Sequence, residues 1–322
     1  MKAFISDRPG DMRLEEIDKP AVLDDGVLVR VHAASVNPVD TFPLSRAGYT
    51  MRRFSREPKR AVLGTDFAGT VEAVGKSVTH FHPGDQVFGA KRGAFADYVT
   101  VTESGPVATK PANVSFVQAA AIPVAAATAL QAVRDHGHVQ AGHRVLINGA
   151  SGGVGTFAVQ IAKAFGAEVT GVCSSSKAEL ARSLGADHVI DYTKEDFTRN
   201  HHRYDVLLDI AGSHSLAECR RVLERNATYV LIGAAAIQHQ SSWKALARFG
   251  TVRLGAIRAS QKVVMYITTM RQSDLDVLRD LAEGGKVTPV IDRCYKLSEI
   301  PEAFRYFDEG HSSGKIVISE MA

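Results

Sequence analysis

Residues 145–155 have the sequence Val-Leu-Ile-Asn-Gly-Ala-Ser-Gly-Gly-Val-Gly, an apolar run that leads directly into a glycine-rich turn. The apolar residues Val145 to Ile147 are typical of a strand that is buried on both faces. Residues Thr156 to Phe165 have the pattern of an amphipathic helix, and a second apolar run begins at Glu168. Together these segments predict a βαβ unit whose first turn is built from small residues.

The small residues of this turn have the spacing found in dinucleotide-binding βα turns. In such turns the first glycine permits a tight bend, the second lets the backbone approach a pyrophosphate, and the third lets helix and strand pack closely. Ala150, Gly152 and Gly155 stand at these three places. The start of the helix also points N–H groups and a positive dipole end at the turn. We therefore expect a dinucleotide to contact the segment Ser151-Gly152-Gly153-Val154.

Two other interpretations of this turn stay open. One is a structural glycine-rich turn that binds nothing. The other is the strand-to-helix elbow of α/β-hydrolases, because Gly149 to Gly153 fits Gly-x-Ser-x-Gly with Ser151 as the nucleophile. A hydrolase needs a later acid and histidine, for which Asp209 with His214 or His311 is available. Its sheet normally has several strands before the elbow, whereas this chain has a β-rich region there.

The end of the second strand bears on which dinucleotide binds. A cofactor with a free 2′-hydroxyl usually meets an Asp or Glu about twenty residues after the glycines. This chain has Ser174, Ser175, Ser176 and Lys177 there, without a carboxylate to repel a phosphate. Three hydroxyls and an ammonium group favour a 2′-phosphate, which predicts NADPH. The alternative is that the serines form only a loop and the N-cap of the next helix.

Apolar strands and helix-length segments alternate after the turn. The predicted strands that follow are Glu168 to Val172, His188 to Ile190, Tyr204 to Asp209 and Ala227 to Ile232. Strands this apolar require a parallel sheet that helices cover on both faces. The sequence therefore predicts an α/β fold with a doubly wound sheet in a domain of residues 123–264.

The two ends of the chain have a different pattern. Up to about residue 110, short β-rich runs are cut by Gly, Pro and Asp, which predicts a mostly antiparallel β domain. An Ala-rich stretch with high helix propensity then begins at Val117. The tail has helical patterns at Asp274 to Glu283 and Ser298 to Asp308 and a strand at Lys315 to Ile318. Because the tail no longer alternates with parallel strands, residues 1–122 and 265–322 are expected to form one domain.

Composition and charge limit the classes of protein. With 322 residues, 45% of them hydrophobic, the chain can bury a sizeable core. Its 38 basic and 35 acidic residues are dispersed, so neither nucleic acid nor a membrane is an expected partner. The three cysteines form no Cys-x-x-Cys pair, and the N-terminus has no apolar core of a secretory signal. These features favour a reducing, cytoplasmic location.

Four segments resemble, in their order, those of the medium-chain dehydrogenase/reductase superfamily: Gly64 to Gly75, Pro83 to Gly89, Val145 to Ala167 and Ser313 to Val317. From Met1 to Ile318 the chain is similar to the zinc-free quinone oxidoreductase branch, which includes the reticulon-4-interacting protein group. The resemblance implies a GroES-like β domain, completed by the C-terminal tail, beside a Rossmann domain, with the active site in the cleft between them. It also implies a homodimer that reduces quinones, enones or related activated double bonds with NADPH.

Two departures from the zinc-containing members imply catalysis without a metal. Those members have a ligand Cys followed by Gly-x-Asp, whereas residues 34–40 of this chain are Ala-Ser-Val-Asn-Pro-Val-Asp. Those members also have Gly-His-Glu, whereas this chain has Gly64-Thr65-Asp66 at that place. Both exchanges remove ligands that tetrahedral zinc favours, and the cysteine-rich lobe is missing. Three histidine pairs lie in predicted surface segments and are assigned no metal: His80 with His82, His136 with His138, and His201 with His202.

Without a metal, hydrogen-bond donors must polarise the substrate carbonyl as negative charge builds on its oxygen. The resemblance places Asn37, Asp40 and Tyr49 in or near the active-site loop and Thr128 near the nicotinamide. Asn37 is expected to donate its amide to the carbonyl or to position the ribose, and Tyr49 to donate its hydroxyl or relay a proton. Asp40 is expected to orient its neighbours, since an ordinary Asp is ionised at neutral pH. Asn37-Pro38 is also a good turn former, and Tyr49 alternatively caps a loop.

The resemblance implies three more cofactor contacts. Tyr192 matches a position that stacks near the adenosine end of the dinucleotide, while Gly233 and Lys315 match positions close to it. The alternative for Gly233 is a plain tight turn after a strand, and the alternative for Lys315 is a surface lysine.

Three functions are compatible with the sequence. The first is an NADPH-dependent reductase of quinones or α,β-unsaturated carbonyls. The second is a serine hydrolase, and the third is an NADPH-binding sensor or interaction partner with little catalysis. The arginine-rich segment Arg46 to Arg60 matches no substrate signature, and Val252 to Ile257 is a candidate strand for pairing in a dimer.

Overall fold

The computed structural model of the protein describes residues 1–54, 60–232 and 260–319. The chain divides into two compact units. Unit 1 comprises Met1–Ala127, Met270–Gly285 and Pro289–Ala322, and unit 2 comprises Thr128–Thr269 and Lys286–Thr288. The two main boundaries lie five residues after the predicted ones at 122/123 and 264/265.

Both units contain strands and helices. In the described residues the strands are β1 (Lys2–Ser6), β2 (Arg13–Glu16), β3 (Gly26–Ser35), β4 (Ala61–Val62), β5 (Asp66–Val74), β6 (Gln86–Ala90), β7 (Tyr98–Thr102), β8 (Val107–Thr109), β9 (Arg144–Asn148), β10 (Glu168–Cys173), β11 (His188–Asp191), β12 (Tyr204–Asp209), β13 (Leu223–Ile232), β14 (Lys262–Tyr266), β15 (Ile291–Tyr295) and β16 (Lys315–Ser319). The helices in the same residues are α1 (Arg46–Phe54), α2 (Phe116–Ala120), α3 (Pro123–Gln131), α4 (Gly153–Ala164), α5 (Ala178–Ser183), α6 (Leu216–Cys219), α7 (Gln272–Glu283) and α8 (Ile300–Asp308).

Unit 2 contains a six-stranded parallel sheet in the order β11-β10-β9-β12-β13-β14. In chain order this is 3-2-1-4-5-6, the order of doubly wound dinucleotide-binding sheets. The central strands β9 and β12 are buried along nearly their whole length, which explains why their sequences are continuous apolar runs. The predicted α/β fold class with a parallel Rossmann sheet is confirmed.

Unit 2 differs from its prediction at two elements. Strand β14, which pairs with β13 as the sixth strand, was not predicted from the sequence. Helix α4 begins at Gly153, three residues before the predicted start at Thr156, because Gly152 has the extended backbone of an N-cap. Gly233 and the candidate strand Val252 to Ile257 lie outside the described residues.

Unit 1 contains two sheets that are mostly antiparallel. The smaller has the order β2-β1-β4, and the larger has the order β15-β16-β3-β5-β6-β8, with β7 also paired to β3. Strand β16, from the end of the chain, lies beside β3 so that Val317 is opposite Ser35. On the other side of β3, Ser35 is opposite Asp66 at the start of β5. Segments that are far apart in sequence therefore meet at one end of β3.

The tail also contributes to the hydrophobic core of unit 1. Phe304 of α8 packs edge-to-face on Phe95 with ring centroids 6.1 Å apart, and Ile316 and Ile318 of β16 are buried in the same cluster. The structure thus places the tail in the β unit.

In the described part of the chain, we find no helix with both the length and the apolar character that crossing a membrane requires.

Candidate active site

The predicted dinucleotide turn joins β9 to α4 at the carboxyl end of a central strand. Gly149 has a φ of +93°, a conformation that L side chains rarely adopt. The N–H groups of Gly149 and Ala150 both donate to the carbonyl oxygen of Val172 in β10, at 3.2 and 3.0 Å. The turn is therefore held against the neighbouring strand, and the first N–H groups of α4, which have no intrahelical partners, lie at its end.

The two later glycines of the turn have different surroundings. A Cβ on Gly155 would overlap the carbonyl oxygen of Gly149 and lie 2.7 Å from the carbonyl carbon of Ala150. Among the described residues, a Cβ on Gly152 would meet only the carbonyl oxygen of Gly149, at 3.7 Å. Gly155 is therefore required for close packing of helix on strand, whereas the space beside Gly152 is open, as a pyrophosphate needs.

The buried carboxylate of Asp209 links the ends of the central strands. It accepts hydrogen bonds from Asn148 Nδ2 at 2.8 Å, from the Tyr229 hydroxyl at 2.7 Å and from the Gly212 N–H at 2.8 Å. Because Asn148 is the last residue of β9, this network fixes the residue that enters the turn.

The hydrolase interpretation does not agree with these positions. It requires strands of the same sheet before the elbow, but β9 is the first of the six strands in chain order. Asp209 accepts hydrogen bonds from strand and loop donors, while His214 lies 3.3 Å from Asp196 and 2.9 Å from the Ser213 hydroxyl. Ser151 is 7% exposed within the turn. The structure therefore contradicts a serine nucleophile at this elbow.

The statement that no carboxylate lies near Ser174 to Lys177 is wrong. Asp191, at the end of β11, lies beside Cys173 at the end of β10, and its carboxylate accepts a hydrogen bond from the Ser175 hydroxyl. This bond, with those from Thr193, holds the pKa of Asp191 well below its usual range. The prediction used only the end of the second strand, β10. The parallel pairing of β10 with β11 brings the Asp191 carboxylate there from the end of the third strand.

Tyr192 follows β11 at the same edge of the sheet. Its side chain is 61% exposed, and its N–H donates to the carbonyl oxygen of Cys173 at 3.1 Å. An exposed aromatic face suits stacking on an adenine, so its cofactor role stays a prediction.

Thr128 is buried in unit 2 and pairs its hydroxyl with that of the partly exposed Thr268. Its Oγ1 is 2.7 Å from Oγ1 of Thr268, and its carbonyl oxygen accepts a hydrogen bond from the Tyr266 hydroxyl at 2.5 Å. Burial raises the pKa of Tyr266, so this phenol stays protonated. Thr268 follows β14, so the missed strand supplies the partner of a predicted nicotinamide neighbour.

Unit 1 contains a buried polar cluster at the end of β3. Asp66 Oδ2 accepts hydrogen bonds from Ser35 Oγ at 2.9 Å and Asn37 Nδ2 at 2.8 Å, while Oδ1 accepts one from the Val124 N–H at 3.0 Å. Lys315 Nζ donates to the carbonyl oxygen of Val36 at 2.8 Å and to Asn37 Oδ1 at 2.5 Å. It also lies 3.8 Å from Asp66 Oδ2.

The carboxylate of Asp40 joins this cluster through the backbone N–H of Asn37 and through the hydroxyl of Thr65. The Asn37 N–H donates to Asp40 Oδ2 at 2.8 Å, and the Thr65 hydroxyl donates to Oδ1 at 2.6 Å. Burial raises the pKa of Asp40 to about 7, against the lowering effect of the Thr65 hydrogen bond. Burial also raises the pKa of Asp66 and lowers that of Lys315. Asp40 is therefore not the ordinary, fully ionised Asp that the sequence analysis assumed.

Two expected roles in this cluster require correction. Asn37 is 1% exposed, and its amide is used by Ser35, Asp66 and Lys315, so it does not point a free donor at a substrate carbonyl. Lys315 is 4% exposed rather than on the surface. Its ammonium group is enclosed by the cluster, and its expected position close to the dinucleotide stays a prediction.

A groove in unit 1 lies next to the cluster and has a volume of about 400 Å³. Its lining includes Asp40, Thr65, Arg92 and the apolar residues Val39 and Leu63. Tyr49 is half-buried in α1, and the structure records no hydrogen bond from its hydroxyl to another described residue. The structure therefore places Thr65, not Tyr49, against Asp40.

The residues at the positions of zinc ligands do not fit a zinc ion. The two segments that replace the ligand motifs bind each other, because Ser35 donates to Asp66 and Thr65 to Asp40. These carboxylates already accept hydrogen bonds on every oxygen, and neither a thiolate nor an imidazole is present in the cluster. Among residues 1–54, 60–232 and 260–319, no three His, Cys, Asp or Glu side chains are grouped to hold a metal.

Sequence reasoning missed several of these contacts. Thr65 and Asp66 were considered only as replacements for zinc ligands, and neither Asp191 nor Thr268 was considered. A polar residue within an apolar segment was the available signal for Asp66, since a buried polar group requires partners. The pairing of Thr65 with Asp40 had no such signal.

Two family models match the chain. One described as "Zinc-binding dehydrogenase" matches residues 184–318, and one described as "Alcohol dehydrogenase GroES-like domain" matches residues 23–112. "NAD(P)H oxidoreductase RTN4IP1, mitochondrial" of Mus musculus is 36% identical over 91% of this chain and 81% of its own length. The chain belongs to the medium-chain dehydrogenase/reductase superfamily. Within the superfamily it lies in the zinc-free quinone oxidoreductase branch and is an oxidoreductase with a nicotinamide cofactor.

Two further members of the superfamily are similar over most of the chain. "2-Methylene-furan-3-one reductase" of Solanum lycopersicum is 34% identical over 93% of this chain and 73% of its own length. The solved structure of the quinone oxidoreductase from Coxiella burnetii superposes with a TM-score of 0.85 and 27% identity over 99% of both chains. The superfamily resemblance inferred from the sequence motifs is confirmed.

Proposed function

We propose that this oxidoreductase binds NADPH on unit 2 and reduces a quinone or an α,β-unsaturated carbonyl without a metal ion. The observation that carries the proposal is the open space beside Gly152, at a helix N-terminus on the edge of a doubly wound sheet. The substrate class is supported by the names of relatives, one a quinone oxidoreductase and one a 2-methylene-furan-3-one reductase.

The cofactor would be held by groups at the carboxyl edge of the sheet. The N–H groups of Gly153 and Val154, together with Ser151 and the open side of Gly152, would hold the pyrophosphate. Ser174, the backbone N–H of Ser175 and Lys177 would hold the 2′-phosphate, Tyr192 would stack on the adenine, and Thr128 would lie near the nicotinamide. When bound, NADPH supplies the hydride for the reaction.

Asp191 does not remove the preference for NADPH. Its carboxylate accepts hydrogen bonds from Ser175 and from the hydroxyl and N–H of Thr193, and Lys194 Nζ is 3.3 Å away. These partners occupy the oxygen atoms that would otherwise accept the 2′-hydroxyl of NADH. The ammonium group of Lys177 is the cation at this edge that we assign to the phosphate.

We expect Lys177→Met to raise the Kd for NADPH roughly tenfold, because it removes one charge-assisted hydrogen bond to the 2′-phosphate. The Kd for NADH should change less than about twofold, since NADH has no such phosphate. Fluorescence titration of both cofactors measures this. Lys286→Met, at an exposed position of unit 2, is the matched control and should leave both constants unchanged. Equal weakening of both cofactors would contradict the assignment.

The proposed reaction is tested by NADPH oxidation with a panel of quinones, enones and aldehydes. We expect turnover with quinones or enones, at the same rate before and after treatment with 1,10-phenanthroline. Tight binding of NADPH without oxidation by any compound would instead indicate a sensor or interaction protein. Turnover that the chelator abolishes would contradict a metal-free reaction.

The proposal includes a homodimer and small-molecule partners, with neither nucleic acid nor a membrane among them. None of the three cysteines is in a disulfide bond, and Cys173 and Cys219 are buried whereas Cys294 is exposed, which suits a reducing compartment such as the cytoplasm.

A further inference from the structure

Thr65 and Asp40 form a hydrogen-bonded pair at the edge of the groove in unit 1. Thr65 Oγ1 lies 2.6 Å from Asp40 Oδ1. Thr65 is partly exposed and lines the groove, whereas Asp40 is only 2% exposed. The pair therefore connects a buried carboxyl group to a groove of about 400 Å³, which is a suitable size for a small ligand.

The surroundings of Asp40 determine which of its oxygens can hold a proton. The Asn37 N–H donates to Oδ2 at 2.8 Å, and a backbone N–H cannot accept a proton in return. Oδ1 faces the Thr65 hydroxyl, which can accept a hydrogen bond as well as donate one. A proton on Asp40 therefore lies on Oδ1 and points at Thr65, whose own hydrogen is then free to point into the groove.

The charges of the cluster favour one bound proton. Asp40, Asp66 and Lys315 are all buried, so two ionised carboxylates and one ammonium group would leave a net negative charge in the interior. Asp66 lies 3.8 Å from Lys315 Nζ, whereas both hydrogen-bond donors to Asp40 are neutral. The proton therefore belongs to Asp40.

The other charged groups near Asp40 lie on the solvent side. Arg60, Arg92 and Met1 also line the groove. Arg60 pairs with Glu15, and the amino group of Met1 donates to the carbonyl oxygen of Ile17 at 2.7 Å. Because solvent screens exposed charges, they oppose protonation of Asp40 less than burial favours it.

We propose that Thr65 is the catalytic residue that delivers the proton in this reduction, and that Asp40 is the positioning residue that resupplies Thr65. This inference rests on the proposed function. Once the substrate has accepted a hydride, negative charge lies on its carbonyl oxygen. The Thr65 O–H bond breaks as its proton moves to that oxygen, and the proton on Asp40 Oδ1 moves to Thr65 Oγ1. Asp40 is left as a carboxylate and takes a proton from water before the next turnover.

The products of this step balance for both substrate classes. An enone gains one hydride and one proton and leaves as an enol, which tautomerises to the saturated ketone. A quinone gains the same pair, which together amounts to two electrons and two protons, and leaves as a hydroquinone. The raised pKa of Asp40, about 7 because of burial, means that a large fraction of the enzyme holds the required proton at neutral pH.

The first test is turnover of Thr65→Val with cyclohexenone and NADPH. Valine has the shape of threonine without the hydroxyl, so we expect kcat to fall roughly 100-fold, the size of a general-acid contribution. Thr65→Ser restores the hydroxyl and should keep kcat within a few-fold of the original. Thr109→Val, at an exposed position of β8, is the matched control and should leave kcat unchanged.

The second test is the pH dependence of kcat in the unaltered enzyme and in Asp40→Asn. For the unaltered enzyme, kcat should fall as the pH rises above about 7, because Asp40 loses its proton. The variant should have a low kcat that does not change over this range, which a merely structural role of Asp40 would not produce.

In cofactor-free protein, the free energy of unfolding should fall as the pH rises from about 4 to about 7, since the folded state keeps a proton that unfolded Asp40 releases. This decline should be shallower in the variant.

The outcomes distinguish the inference from the function on which it rests. If the enzyme reduces enones but Thr65→Val has full turnover, the relay is wrong and the proposed function stands. The same holds if Tyr49→Phe, and not Thr65→Val, loses turnover. If no compound of the panel supports NADPH oxidation by the unaltered enzyme, the proposed function fails and the relay fails with it.

Discussion

Replacing Gly155 with alanine is expected to abolish dinucleotide binding and to lower the free energy of unfolding by about 1–3 kcal/mol. The added Cβ would overlap the carbonyl oxygen of Gly149 and lie 2.7 Å from the carbonyl carbon of Ala150. Because both atoms belong to the backbone, they cannot rotate away, and α4 must move off β9. Its first N–H groups then leave the place where the pyrophosphate binds. NADPH titration and urea denaturation measure the two effects.

Gly152→Ala is the matched control for this change. Its Cβ would have only an ordinary contact, 3.7 Å from the carbonyl oxygen of Gly149, so the fold should lose no more than about 1 kcal/mol, the cost of a poorer N-cap. The methyl group would still occupy the space that a pyrophosphate needs. We therefore expect weak NADPH binding with nearly unchanged stability. Normal NADPH binding by this variant would contradict the assignment of the turn.

Lys315→Met is expected to have the largest effect on stability, a loss of about 3–5 kcal/mol in the free energy of unfolding. The substitution leaves Asp66 and Asp40 buried without the ammonium group that lies 3.8 Å from Asp66. It also removes the donor to the Val36 carbonyl oxygen and to Asn37 Oδ1. Urea denaturation at neutral pH measures the loss.

Two further variants test whether charge causes this loss. Adding Asp66→Asn to Lys315→Met removes the uncompensated charge and should recover much of the stability, because replacing both members of a buried pair is often tolerated. Lys76→Met breaks an ion pair with Asp24 whose side chains are 77% and 68% exposed, and should cost less than about 1 kcal/mol. Equal losses for Lys315→Met and Lys76→Met would contradict a buried-charge mechanism.

The fold could be predicted from the sequence where local patterns are strong. The runs around Val145 and Tyr204 are apolar because helices cover both faces of the sheet, and small residues mark the turn between β9 and α4. Strand β14 was missed because it has only five residues and follows a basic stretch of sequence. A strand this short has no clear hydrophobic periodicity. Its partner in the sheet, β13, lies earlier in the chain, and the paired residues, such as Thr228 and Lys262, are 34 positions apart.

The candidate site could be predicted only in part, for a different reason. Asn37 and Asp40 were identified, but their partners depend on strand register. Thr65 is 25 residues from Asp40, and Lys315 is 278 residues from Asn37. Local periodicity in the sequence does not indicate such long-range contacts. The burial that raises the pKa of Asp40 follows from these contacts.

The position of β16 has a consequence for the order of biosynthesis. A ribosome makes β3 and β5 early, but the strand that lies beside β3 and carries Lys315 is made after every other described strand. Until then Asp66 has no cation near it, and the larger sheet of unit 1 has an open edge at β3. All six strands of unit 2 are complete before β16 exists. The nascent chain can therefore finish its second unit first, and the first unit must wait for the tail.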